Sequence, residues 1–112
     1  MTKIGEGNLS PTPPTAAAYQ KELDTSSEKF LTALDQYNQS KSSDEQKHLK
    51  GIMDQQMGLI QAALKELNQK GIHKEGSKVV KDYVEYKEEE SQENYMCLRN
   101  DLETLREHNQ VS

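Results

Sequence analysis

The chain has 112 residues, room for one domain, with a net charge of -5 and a mean hydropathy of -1.01. Its acidic balance argues against nucleic acid, whose phosphates require a basic patch, and no apolar run approaches the roughly 20 residues that span a bilayer. Leu, Ile, Val and Phe supply 20 of the residues, just under the roughly 20% below which disorder becomes a serious reading, but they gather into stripes, which predicts a folded protein with a thin core.

Residues 1–15 hold Gly5, Gly7, Pro11, Pro13 and Pro14 with little that is apolar, the composition of a flexible tail. Residues 1–10 lack the apolar core of a secretory signal peptide. The expected location is therefore the cytoplasm, or outside the cell by a route that needs no cleaved signal. A single bundle domain is expected over 16–112.

A first helix is predicted over 16–37, where Tyr19, Leu23, Ser26 or Ser27, Phe30, Leu34 and Tyr37 recur at steps of three and four as a narrow seam. Residues 38–43 read as a polar turn. Ser43 reads as the N-cap of a second helix, with Gln46 completing a capping box and Asp44 and Glu45 complementing the helix dipole. On that helix Leu49, Ile52, Met53, Ile60, Ala63, Leu64 and Leu67 fall on one face over five turns, and Met57 joins Met53 as an adaptable apolar edge. The helix should stop at Lys70, where Gly71 can turn left-handed and Ile72 can fold back on Leu67.

Gly51, Gly58 and Ala62 fall on the opposite face of the second helix. An interior glycine costs about 0.8–1.0 kcal/mol relative to alanine. Two on one stripe mark either a tolerated solvent face or a place where another helix comes close.

A third helix is predicted from 75–77 to about 108. Its apolar residues form two clusters, Val79, Val80, Tyr83, Val84 and Tyr86, then Tyr95, Met96, Leu98, Leu102 and Leu105, separated by a stretch, 87–94, that is polar on every side. Short connections favour sequential antiparallel packing. The expected fold is an all-α, up-down-up three-helix bundle, or four helices if the third breaks near Ser91. The spacing Ser91, Tyr95, Leu98, Leu102, Leu105 follows a 3.5-residue repeat for about two heptads, which suits core packing or a short coiled-coil seam.

Residues able to carry chemistry are poorly placed for it. His48, His73 and His108 have no second ligand at metal spacing and each reads as a surface histidine. Cys97 has no internal disulfide partner and reads as a small hydrophobe near a packing face. Glu88, Glu89, Glu90 and Glu93 read as a solvated face, Tyr83 and Tyr86 as packed rings, and no glycine motif suits a phosphate. The expectation is no enzyme, no cofactor, no metal and no small-molecule substrate.

What remains is a non-enzymatic interaction module, an adaptor, chaperone-like protein or regulatory subunit, that offers a helix face to a protein partner or to a second copy. The candidate interface is Val80, Tyr83, Val84, Tyr95, Leu98, Leu102 and Leu105 on the third helix, with Gly51, Gly58 and Ala62 as a second face. The alternative is a substrate or small component of a specialised bacterial secretion system, with residues 1–15 as its signal. Secretion chaperones, their substrates and small adaptors are similar to this chain in architecture alone.

Overall fold

The computed structural model describes residues 16–111, the side chains of Gln110 and Val111 excepted. Four helices follow one another: α1 (Ala16–Gln39), α2 (Ser43–Gln69), α3 (Ser77–Glu88) and α4 (Gln92–Val111), with a single 3-10 turn, Lys74–Gly76, ahead of α3. No strand occurs among the described residues. The tail expected at 1–15 lies outside them.

α1 and α2 form a long hairpin whose facing stripes match the apolar spacing. Leu23, Ser26, Ser27, Phe30, Leu31, Ala33, Leu34 and Tyr37 are buried on α1, and Leu49, Met53, Gln56, Met57, Ile60, Ala63, Leu64 and Leu67 on α2. The start of α2 differs from expectation by one residue. Ser42, in extended conformation, is the N-cap, and its side chain accepts from the Glu45 N–H. Ser43 is already helical, and Gln46 instead donates its side-chain amide to the Ser40 carbonyl at 2.8 Å. Ser40 Oγ, in turn, accepts from the Ser42 N–H and donates to Glu45 at 2.6 Å, so the reciprocal bond of a capping box passes through a relay hydroxyl. The end of α2 is as expected: Gly71 has φ +78, its N–H bonds the Asn68 carbonyl, and the Ile72 N–H bonds the Leu67 carbonyl, both at 2.9 Å.

The predicted third helix is two helices. Glu89 is extended, Ser91 Oγ accepts from the Asn94 N–H at 3.1 Å, and the Asn94 amide donates to the Glu89 carbonyl at 2.9 Å. The stretch 87–94 has no apolar side to hold it against a neighbour, whereas Ser91 offers a cap, so the chain reverses there. The reversal lets Leu98, Leu102 and Leu105 fold back onto the hairpin, where all three are buried. The result is an antiparallel up-down-up-down bundle.

Helix directions are set by polar clasps around one apolar core. Near the end of α1, Asp35 receives Tyr95 and Arg99 from the start of α4. Near the start of α1, Asp24 receives Arg106 and the Gln20 carbonyl receives Asn109 from the end of α4. α3 runs the other way, with Tyr83 edge-on to Phe30 at 5.1 Å and Tyr86 edge-on to Tyr37 at 6.3 Å. Tyr37 donates to Glu90 at 2.7 Å, and Lys50 meets the same carboxylate at 3.3 Å, closing the end of the bundle over the α3–α4 turn.

Two residues expected at the surface or near a packing face are placed otherwise. His73 is buried, with φ +55, and its ring lies 2.9 Å from Asn109 Oδ1. It fastens the segment between α2 and α3 to the end of α4, a contact with a residue 36 positions away that its place between Ile72 and Lys74 does not disclose. Cys97 is exposed on α4 because the core face is taken by Leu98 and Leu102.

Candidate partner-binding groove

The hairpin and the α3–α4 pair do not close evenly. α3 packs chiefly on α4, its backbone comes near α2 at few points, and it reaches α1 through the rings of Tyr83 and Tyr86. A groove is left between α2 and α3. At one end Gln61, Leu64, Lys65 and Asn68 face Ser77, Val80 and Lys81 around a depression of about 450 Å³. Further along, Asp54, Met57, Gly58 and Gln61 face Val80, Tyr83, Val84 and Lys87 around about 220 Å³. Gln61 and Val80 belong to both, so the two depressions form one trough.

Helical spacing explains the lining. Positions 54, 57, 58, 61, 65 and 68 are one edge of α2, next to its core stripe, and 77, 80, 84 and 87 are one edge of α3. The floor is apolar: Met57, Leu64 and Tyr83 are buried core residues that show one side to the trough, and Val80 is half-buried. Val84 is 47% exposed on the wall. Gly58 supplies no side chain, and a Cβ built there meets nothing within 4 Å.

The polar groups of the trough separate into a satisfied set and an unsatisfied set. The Tyr83 hydroxyl donates to Asp54, and burial followed by that carboxylate holds the phenol well above its ordinary value. Lys87 lies 3.5 Å from Asp54 and 4.6 Å from the centre of the Tyr83 ring. By contrast, Lys65 on the α2 wall and Lys81 on the α3 wall have no ion-pair or hydrogen-bond partner among the described residues. The lining therefore carries three lysines against one aspartate in a chain whose net charge is -5.

The candidate interface read from sequence divides along these lines. Val80, Tyr83, Val84 and Gly58 are brought together in the trough, Tyr83 through its buried flank and hydroxyl. Leu98, Leu102 and Leu105 are not presented at all: each is at most 1% exposed, because α4 turns its heptad-like seam into the core. Tyr95 is half-buried, with its hydroxyl committed to Asp35 at 2.6 Å. Gly51 and Ala62 lie on the exposed side of α2, and among the described residues nothing lies within 4 Å of a Cβ built at Gly51. Lys65 and Lys81 were not singled out. Each adjoins a stripe residue, Leu64 or Val80, but only the packing of α3 on the hairpin places them on opposite walls of one trough.

Other features carry less. A depression of about 270 Å³ between α1 and α2 is lined by Glu28, Lys29 and Thr32 above Ala33, Leu49 and Ile52, one charge of each sign. Glu88, Glu89, Glu90 and Glu93 are exposed, with Glu90 occupied by Tyr37 and Lys50. Among the described residues no group of His, Cys, Asp and Glu has the arrangement of a metal site, and no helix is long and apolar enough to cross a membrane. Comparison with protein-family models, with curated proteins and with solved structures found no match.

Proposed function

We propose that the protein is a non-enzymatic interaction module, an adaptor or regulatory subunit, and that the α2–α3 trough is where it takes a protein partner. The observation that carries this reading is the trough itself: an apolar floor of Met57, Leu64 and Val80 left open between two helices, with Val84 exposed beside it. Apolar grooves between helices take amphipathic helices through anchors spaced three and four residues apart. Val84 is a surface residue of a short helix, so its exposure is not needed by the core.

Photo-crosslinking tests the proposal. A crosslinkable residue placed at Val84 in cells that express the chain should give a discrete adduct, identifiable by mass spectrometry. The same residue at Thr25, exposed on the outer face of α1, should give none. Adducts of equal yield from both positions, or from neither, refute the trough as the working surface.

A further inference from the structure

Resting on the reading of the trough as a docking site, we infer that its occupant is a partner's amphipathic helix with carboxylates on both flanks of its apolar stripe. The occupant is specified by length, shape and charge. The α3 wall runs from Ser77 to Lys87, about 15 Å at the helical rise, which matches about three turns of a docked helix. Both walls are helices, and among the described residues there is no strand edge for an extended peptide to extend. A helix laid in the trough sets its apolar stripe on Leu64, Val80 and Val84, with Gly58 giving room for close approach. One flank then lies along Lys65 on α2 and the other along Lys81 and Lys87 on α3.

Charge separates this occupant from a second copy of the chain. Lys87 already has Asp54, but Lys65 and Lys81 are uncompensated, one on each wall. A two-fold self-association through the trough would set the same lysine-rich lining against itself, and like charges brought together across an interface are strongly unfavourable. Carboxylates on both flanks of a partner helix complete the two lysines instead.

The test uses the full chain and two labelled helical peptides of about 12 residues, with the same leucine stripe and with either glutamates or lysines on both flanks. The net charge of -5 attracts the lysine peptide to the molecule as a whole, so a preference for the glutamate peptide can arise only locally. The expected result is that the glutamate peptide binds about tenfold or more tighter, and that amide shifts concentrate in 57–65 and 77–87. Lys65→Glu with Lys81→Glu should reverse the preference, and Val84→Asp should weaken both peptides. Equal affinity for the two peptides, with Val84→Asp still harmful, overturns the acidic-helix assignment and leaves the trough as a docking site. No binding by either peptide, or binding indifferent to Val84→Asp, overturns the trough as well. Both variants change only exposed positions, and far-UV circular dichroism confirms that each is folded.

Discussion

Asp82 on α3 and Asp101 on α4 face each other across the seam between their helices, close enough for a proton to be shared. Burial first, then Asp101 and Glu85, push the Asp82 carboxyl up to about 7, against a smaller opposing pull from Lys78. Asp82 Oδ2 is buried without a donor directed at it, which a shared proton relieves. The two acids therefore join α3 to α4 when one is protonated and push them apart when both are ionised.

This fixes the sign of a pH dependence. An unfolded aspartate loses its proton near 3.8, whereas the folded pair keeps one until about 7. Between these values the folded state binds more protons, so stability falls as pH rises. Asp35 and Glu75 do not oppose this in the same window. At Asp35 burial raises the carboxyl but the bonds from Arg99 and Tyr95 outweigh it, and at Glu75 a backbone bond lowers it, so both act at more acidic pH. Urea midpoints should drop between about pH 4.5 and about pH 7.5, and Asp82→Asn should flatten the slope. An unchanged slope in that variant refutes the shared proton.

The clasp between α1 and α4 should be measurable. Arg99 donates Nε and Nη2 to the two oxygens of Asp35 at 3.0 and 3.2 Å, and Tyr95 adds a bond at 2.6 Å. The pair is only about two-thirds buried, so the expected loss in Asp35→Ala is about 1–2 kcal/mol in urea unfolding. Arg99→Lys keeps the charge and loses the fork, and should recover less than half of the difference between wild type and Arg99→Ala.

Core and surface residues of the α3–α4 pair should respond differently. Leu102 is fully buried, and Leu102→Ala should cost about 2–5 kcal/mol. Val84→Asp should stay within about 0.5 kcal/mol of wild type. Thermal and urea unfolding of the two variants side by side check both. A large loss from Val84→Asp would place it in the core and remove it from the trough wall.

That contrast marks how far the chain could be read before its structure. Periodicity within one helix was enough for the Leu49–Leu67 stripe, for the seam of α1, and for the stop at Gly71 and Ile72, because each depends on neighbours within a turn or two. The bundle was legible with the break near Ser91 left as its four-helix form, since local polarity shows where a helix lacks support but not where the chain then goes. Leu98, Leu102 and Leu105 read first as core packing and second as an interface seam. A stripe says that a face is covered, not by which surface. His73, Glu90 and the two unpaired lysines depend on contacts between segments far apart in sequence, which no local pattern encodes.

The two glycines inside α2 give a separate test. Neither has positive φ, and a Cβ at Gly51 or Gly58 meets nothing within 4 Å. Gly51→Ala and Gly58→Ala should each raise stability by about 0.8–1.0 kcal/mol. Of the two, only Gly58 lines the trough, so only its substitution should also weaken the glutamate peptide.

α3 has 12 residues, a length at which an isolated helix is marginal in water. It is joined to α4 by a three-residue turn, and its backbone comes near the hairpin at few points. One wall of the trough is therefore the element that local opening reaches first, while the long hairpin stays closed. Amide hydrogens of α3 should exchange with solvent ahead of those in α1 and α2. An occupant of the trough would then act as a splint, and slower exchange along α3 would record its arrival even where no atom of the hairpin moved.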